Sequence, residues 1–352
     1  MLALNRNKSG ASTSTTLLSL AVTLFCGVGI VTAQTSTFVT FSAPDAGTKN
    51  QGTFPTCINQ GGVIAGQYID ASNVIHGFVR SPAGVITEFD PPNLVDNYVT
   101  GINTRGQIVG FGGNIIARKS TTIGFLRNPN GQFVHLVAPG ATATSPIGIN
   151  DSGVIAGHFQ DAAGISHGFL RDPSGTYTVF DEPSANQHSG QGTFVAAINA
   201  NGVAAGYYDD STGLLHAYVR DQFGNFTSFD PPGANGTFAQ AINLSGEVAG
   251  VYNDSSFVTH AFVRDAAGTI TSFDVSSSQG TFASSINDGG SIAGVWNKSS
   301  SSFLGFQRSP SGSISSFSAS APDNTAGVAI NNGGHVTGYY NDSAGVTHGF
   351  VK

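Results

Sequence analysis

The sequence predicts an all-β fold, a seven-bladed β-propeller of four-stranded blades that is closed by the N-terminal strand. Three observations predict it. The dipeptide Ile-Asn recurs seven times at spacings of 44 to 49 residues, the size of one propeller blade. Every copy contains short runs rich in β-branched and aromatic residues. The last copy lacks its fourth run, which stands at the other end of the chain as residues 37–42. A repeat divided between the two termini is what a closed ring needs.

The copy that contains Ile242 displays the four predicted strands, here named a to d in chain order. Strand a covers residues 236–242, strand b 247–252, strand c 259–264 and strand d 269–274. Each run is short for a helix and is bounded by Gly, Asn, Asp or Ser. An open solenoid is the alternative, but it would need polar caps, and both ends of this chain match the repeat interior.

Two glycines and one asparagine recur in all seven copies. The Asn follows Ile directly and is expected to bond its own backbone two residues on. The Gly four residues after Ile is expected to take the left-handed backbone of a bulged hairpin. The Gly eight residues after Ile lies inside strand b, where an aromatic ring should pack closely. Those rings come from strand c, at Phe78, Phe125, Phe169, Tyr218, Phe262, Phe306 and Phe350.

Residues 1–33 are predicted to be a signal peptide, and residues 34–352 a single propeller domain. Arg6 and Lys8 precede an apolar stretch, and Ala33 ends a run of small residues suited to cleavage. An uncleaved membrane anchor is the alternative. The predicted mature chain has no membrane span, and we expect it to be extracellular or periplasmic.

Charge excludes one class of partner. The predicted mature chain has 12 basic and 21 acidic residues, a net charge of 12 − 21 = −9, which argues against a nucleic-acid surface. Its only cysteine, Cys57, is expected to be a buried and inert thiol.

The most regular polar pattern is an Asp twelve residues after Ile and a His eighteen residues after it. In two copies both residues change together, which suggests that the two side chains touch across the b–c hairpin. We expect a structural hydrogen bond in each blade, and the alternative is a His that acts as a general base. The predicted pairs are Asp70/His76, Asp161/His167, Asp210/His216, Asp254/His260 and Asp342/His348.

A second ring of basic residues follows at the end of strand c. These residues are expected to pair either with turn carbonyls or with the acidic residues Asp90, Asp181, Asp230 and Asp274, and an anion site is the alternative. The ring consists of Arg80, Arg127, Arg171, Arg220, Arg264, Arg308 and Lys352.

The motif His-(Gly/Ala)-Phe at the start of strand c resembles the HAF family of extracellular repeat proteins. It stands here as His76-Gly77-Phe78, His167-Gly168-Phe169, His260-Ala261-Phe262 and His348-Gly349-Phe350. The resemblance covers essentially the whole predicted mature chain. It implies a secreted or surface-exposed bacterial repeat protein and brings no established activity.

Two breaks in the repeat define the candidate interaction face. The second copy carries Arg118 and Lys119 in a basic insertion, and the third leads into a long d–a loop with His188. In propeller geometry the b–c and d–a loops share one face, so these residues are expected on the same side. The alternative is that both are tolerated surface insertions.

These features favour a binding or interaction module whose extracellular ligand is a protein or a glycan. The alternative is an extracellular polysaccharide lyase or hydrolase, which would need an unrepeated acid, base or metal cluster at the channel mouth. The sequence identifies no catalytic residue and no cofactor; calcium at the b–c loops is the one candidate ion. We expect a monomer.

Overall fold

The computed structural model describes residues 37–114, 121–319 and 324–352. The predicted signal peptide, and Arg118 and Lys119, lie outside the described residues. No helix that could cross a membrane is found in the part of the chain that the structure describes.

Every element that the structure describes is a β-strand, which confirms the all-β prediction. The strands, in chain order, are β1 (Val39–Phe41), β2 (Gly52–Ile58), β3 (Ile64–Ile69), β4 (Ile75–Arg80), β5 (Ile86–Phe89), β6 (Leu94–Ile102), β7 (Ile108–Asn114), β8 (Thr122–Arg127), β9 (Phe133–Leu136), β10 (Ala143–Ile149), β11 (Ile155–Gln160), β12 (Ser166–Arg171), β13 (Tyr177–Phe180), β14 (Thr193–Ile198), β15 (Ala204–Asp209), β16 (Leu215–Arg220), β17 (Phe226–Phe229), β18 (Thr237–Ile242), β19 (Val248–Asn253), β20 (Thr259–Arg264), β21 (Ile270–Phe273), β22 (Thr281–Ile286), β23 (Ile292–Ser299), β24 (Ser302–Arg308), β25 (Ile314–Phe317), β26 (Thr325–Ile330), β27 (Val336–Asn341) and β28 (Thr347–Val351).

Five sheets contain four strands each, ordered as in the chain: β6–β9, β10–β13, β14–β17, β18–β21 and β22–β25. The repeat read from the sequence is therefore a four-stranded unit. In the copy that contains Ile242, the predicted strand c coincides with β20; the predicted strand a differs from β18 by one residue at one end, and the predicted strands b and d differ from β19 and β21 by one residue at each end.

The sixth sheet brings the two ends of the described chain together. It holds β2 to β5 beside β26 to β28, and the two groups are linked by one parallel residue pair, Gly52 with Thr347. β1 pairs antiparallel with β28, with Val39 opposite Val351. The first strand of the described chain, β1, therefore pairs with the last strand, β28.

The core of each repeat is one aromatic ring packed on one glycine. Phe262 in β20 is fully buried, and a Cβ at Gly250 in β19 would meet its ring. The same Cβ would also meet the carbonyl oxygen of Phe238 in strand a. The predicted packing of a strand c ring on the strand b glycine is confirmed, and the nearby backbone of strand a leaves no room even for alanine.

The basic ring at the end of strand c joins neighbouring repeats. The Arg264 guanidinium lies 4.9 Å from the centre of the Phe229 ring, which belongs to the preceding sheet, and its Nη1 donates to the carbonyl of Asp265 at 3.1 Å. Among the two partners expected from the sequence, the turn carbonyl is the one observed. The other pairs between neighbouring repeats are Arg80 with Phe41, Arg127 with Phe89, Arg220 with Phe180, Arg308 with Phe273, and Lys352 with Phe317. Arg171 is the exception, because its ring partner Tyr177 belongs to the same sheet.

Candidate functional site

The strand order gives the sheets two different ends. The b–c turns and the d–a connections share one end, here called the b–c face. The a–b and c–d turns share the other end, here called the a–b face. The predicted Asp and His residues lie on the b–c face, and the repeated Asn residues lie on the a–b face.

Each predicted His lies between two oxygen groups on the b–c face. In the first repeat, Nε2 of His76 is 3.5 Å from Asp70, its predicted partner, and Nδ1 is 2.9 Å from Asp90. The structure thus brings the predicted pair together, but the closer contact is to the aspartate at the end of strand d. The corresponding Nδ1 contacts are His167 with Asp181 at 2.9 Å, His216 with Asp230 at 2.6 Å, and His260 with Asp274 at 2.8 Å. The corresponding Nε2 contacts are His167 with Asp161 at 3.6 Å, His216 with Asp210 at 3.4 Å, and His260 with Asp254 at 3.5 Å.

The fifth His completes the pattern with a residue from the other end of the chain. Nε2 of His348 is 3.1 Å from Asp342, and Nδ1 is 2.8 Å from the hydroxyl of Ser42. Ser42 directly follows Phe41, as Asp90 follows Phe89. The segment after β1 therefore takes the place that the end of strand d has in the other copies.

Local structure holds each cluster in place. Oδ1 of Asp70 accepts the backbone N–H groups of Ser72 and Val74 at 2.8 Å each, an Asx turn that leaves Oδ2 facing His76. The imidazole also stacks on Tyr68, with ring centres 5.0 Å apart. Rings from strand b stack in the same way on His260 and His348 and pack at a somewhat larger tilt on His167 and His216.

The neighbouring aspartates favour the charged form of the imidazole. Burial disfavours the charged form of His76, but the hydrogen bonds and charges of Asp90 and Asp70 outweigh it, so the pKa of His76 is raised. The pKa values of His216 and His260 are raised for the same reasons. Because both ring nitrogens of His76 contact carboxylates, neither is free to accept a substrate proton. This geometry favours the structural interpretation over a general base.

Stability should fall as the pH rises above neutrality. A His whose pKa is raised on folding stabilises the protein fully below the unfolded value of 6.5, and this stabilisation is lost as the pH passes the folded value. We expect the Tm to decrease between pH 6.5 and 9, and the triple variant His76→Gln, His216→Gln, His260→Gln to flatten this slope. The exposed His135, changed to Gln, is the control. A wild-type slope in the triple variant would contradict the assignment.

The a–b face carries a cycle of hydrogen bonds that the sequence did not reveal. The Asn of each copy donates from Nδ2 to the backbone carbonyl of the Asn in the next copy, beginning with Asn59 to Asn103 at 3.0 Å. The last copy returns to the first, because Asn331 donates to the carbonyl of Asn59 at 3.2 Å. The links between them are Asn103 to Asn150, Asn150 to Asn199, Asn199 to Asn243, Asn243 to Asn287 and Asn287 to Asn331.

The local backbone bond of this Asn spans four residues in every copy, as in Asn59, whose Oδ1 accepts the N–H of Val63 at 3.0 Å. The predicted bond two residues on is present beside it in the fourth copy, where Oδ1 of Asn199 accepts the N–H of Asn201 at 3.0 Å. The Gly four residues after Ile does take the left-handed backbone, with φ of 76° at Gly62. The Asn therefore closes its own turn with the oxygen and links to the neighbouring repeat with the nitrogen.

A cavity of about 180 Å³ lies inside the Asn cycle. Its acidic residues already accept hydrogen bonds: Asp288 from the backbone of Leu244 at 2.8 Å and from Asn332 at 2.6 Å. Asp151 accepts from the backbone of Thr104 at 2.9 Å. These carboxylates cap neighbouring turns. Across the described ranges, no group of three His, Cys, Asp or Glu side chains is placed to hold a metal ion.

Of the three residues proposed for the interaction face, His188 is the one that the structure describes. It is exposed, on the loop between β13 and β14. This loop is fixed to the b–c turns on both sides, since Gly190 donates to the carbonyl of Gly164 at 2.8 Å and Asn186 to that of Asp209 at 2.7 Å. His188 therefore lies on the b–c face, on a loop with defined contacts.

The comparisons with known proteins identify the fold class. No family model matches the chain, and no curated protein matches it. A catalytically inactive virginiamycin B lyase from Staphylococcus aureus, solved with quinupristin, is similar with a TM-score of 0.55 and 13% identity, over 90% of this chain and 99% of that one. The Cps50 (Swd1) β-propeller domain from Myceliophteria thermophila has a TM-score of 0.53 and 10% identity, over 89% and 99%.

A third similar structure is the BP39L lectin from Burkholderia pseudomallei, with a TM-score of 0.51 and 12% identity, over 88% of this chain and 93% of that one. At 10 to 13% identity these similarities concern the fold alone. The chain has a β-propeller fold made of repeated four-stranded sheets.

Proposed function

We propose that the chain is a secreted seven-bladed β-propeller of the HAF type that binds an extracellular ligand through its b–c face. Three contacts support seven blades closed by the N-terminal strand. The Asn cycle has seven members and returns to its start. β1 pairs with β28, and Ser42 supplies the oxygen that Asp90 supplies in the first repeat. The proposal of secretion depends on the predicted signal peptide, residues 1–33. We expect mass spectrometry of the secreted protein to show an N-terminus at Gln34.

The observation that carries a binding role is an unrepeated groove on the b–c face. The repeated polar groups of this face contact each other, so the scaffold itself uses them. The groove between the b–c turns of the fourth and fifth repeats instead exposes Phe257, beside Leu214 and Phe238. The other four Asp–His clusters form without an aromatic ring at this position of the b–c turn, so the fold does not need Phe257. Its exposed side chain is therefore available to a partner.

A pair of double variants tests which face binds. Printed glycans and defined extracellular polysaccharides are offered to the chain from Gln34 onward. We expect His188→Ser with Phe257→Ser, both exposed on the b–c face, to weaken any ligand found by at least about tenfold, which corresponds to about 1.4 kcal/mol. The matched variant Phe223→Ser with Leu244→Ser changes exposed residues on the a–b face and should bind normally.

Two outcomes would contradict this proposal. Loss of binding in the a–b face variant alone would assign the site to the other end of the sheets. Release of new reducing ends or unsaturated sugars from a polysaccharide would instead favour the polymer-acting enzyme, and the residues of the Asn cavity would then be the first to substitute.

A further inference from the structure

One groove of this molecule combines an exposed aromatic ring, uncharged polar groups and an unusual backbone. It lies on the b–c face between the turn that follows β15 and the turn that follows β19. Its volume is about 600 Å³, within the range of small-ligand sites. The lining residues are Thr212, Gly213, Leu214, Leu215, Asn235, Gly236, Phe238, Asn253 and Phe257.

Phe257 occupies a backbone position that the other four repeats with an Asp–His pair give to glycine or asparagine. Its φ is 61°, in the left-handed region, where the equivalent residues are Gly213, Gly345 and Asn73. Its N–H donates to the carbonyl of Asp254 at 3.0 Å, the same turn that Gly213 closes. A bulky side chain rarely adopts this conformation.

The ring of Phe257 does not compensate for this strain by burial. The residue is 76% exposed, so the hydrophobic effect contributes little to its folding. A strained residue that the core does not need points to a function outside the fold.

The polar groups of the groove are neutral and suited to hydroxyl groups. The side chain of Asn235 is exposed at its edge. Oδ1 of Asn253 accepts from Thr259 at 2.9 Å, which leaves its NH₂ group as a donor. The Thr212 hydroxyl donates to Asp210 at 2.7 Å and keeps its lone pairs as acceptors. None of the lining residues carries a charge, which disfavours phosphate or uronic acid.

The backbone of the groove argues against an added peptide strand. Asn235 donates to the carbonyl of Asn253 at 2.6 Å, and Asn253 donates to that of Gly236 at 3.0 Å. These main-chain groups are already paired, whereas strand addition needs a free edge. An aromatic platform with neutral donors and acceptors instead fits a sugar, whose ring has one apolar C–H face and a rim of hydroxyls.

We propose that this groove binds a neutral saccharide of one or two rings, stacked on Phe257. The assignment rests on the proposed b–c face function and names its ligand class. The Phe257 ring forms the platform, and the amides of Asn235 and Asn253 bond the hydroxyls. The strained backbone aims the ring outward, where a glycine would leave no platform.

The test compares Phe257→Gly with the wild type. An array of neutral and acidic glycans identifies the probe, and calorimetry with the strongest neutral oligosaccharide gives the affinity. We expect Phe257→Gly to weaken binding at least tenfold while its Tm stays equal to or above that of the wild type, because glycine suits the left-handed turn. Phe257→Tyr should keep the affinity. Phe223→Gly, which removes an 82% exposed ring on the a–b face, is the matched control.

Three results would overturn the inference. They are wild-type affinity in Phe257→Gly, binding of acidic glycans alone, and an array without any binder. If a ligand is then lost from His188→Ser but not from Phe257→Gly, the saccharide groove is wrong while the b–c face function stands.

Discussion

A chain that begins at Ala43 will be largely unfolded under conditions in which the chain from Gln34 is folded. The deletion removes β1, so β28 becomes an exposed edge. It also removes Phe38, whose ring centre is 5.4 Å from that of the buried Phe350, and Phe41, on which Arg80 stacks at 4.8 Å. Phe38 and Phe41 are half-buried, so each ring contributes less than a fully buried Phe, whose loss costs about 3–5 kcal/mol. The loss of two rings and one strand together is nevertheless large against the total stability of a domain, about 5–15 kcal/mol. Thermal denaturation and size-exclusion chromatography measure the effect.

A matched pair of point variants separates closure from a general loss of residues. Phe41 and Phe229 hold equivalent places, since each packs on a strand c ring and under a strand c arginine. If β1 is an integral outer strand, Phe41→Ala and Phe229→Ala should lower the Tm by similar amounts. A peptide of residues 34–42 should restore part of the stability of the truncated chain. A truncated chain with an unchanged Tm would refute closure by the N-terminal strand.

The repeat made most of the fold predictable because its signals are local. Alternating short apolar runs gave β20 to the residue, and the Gly250 and Phe262 positions predicted their own contact. Each of these inferences needs only the period of a strand and the size of a side chain. Sevenfold repetition made each of them independent of any single copy.

Contacts between strands that are not adjacent in the predicted hairpin escaped the sequence analysis. His76 was paired with Asp70 across the b–c turn, but its closer partner, Asp90, lies at the end of strand d. The signal was present, because a carboxylate follows strand d in four of the five copies that contain the His, and Ser42 takes its place in the fifth. The inter-repeat bond of Asn59 was missed because local turn chemistry already gave that residue a role.

The roles of residues that do not recur in the repeats could not be predicted from the sequence, because no pattern distinguishes them. Phe257 lies between the predicted strands b and c, and its left-handed backbone and exposure are visible only in the structure. The same holds for His158, which belongs to none of the repeated patterns in the sequence. In strand b its equivalents are Tyr207, Tyr339 and other uncharged residues, so its environment is built for a neutral side chain.

His158 should make the protein sensitive to mild acid. Its Nδ1 is out of contact with solvent, and the Phe194 ring lies 5.4 Å from the imidazole. Burial lowers the pKa of His158 to about 4, although a hydrogen bond with the backbone of Val195 opposes the shift. The unfolded chain takes up the proton near pH 6.5 and the folded chain near pH 4, so stability is full above 6.5 and falls as the pH drops between these values.

The expected loss reaches up to about 3 kcal/mol at pH 4, because one pKa unit corresponds to about 1.4 kcal/mol. His158→Phe places at this site the residue that Phe111 provides in the second repeat, and it should remove the acid slope between pH 6.5 and 4.5. His135→Gln, at an exposed position, should keep it. Denaturant unfolding at several pH values gives the slopes. The clusters of His76, His216 and His260 do not interfere, since their stabilisation is already complete below pH 6.5. An unchanged acid slope in His158→Phe would mean that another group, such as a carboxylate, is responsible.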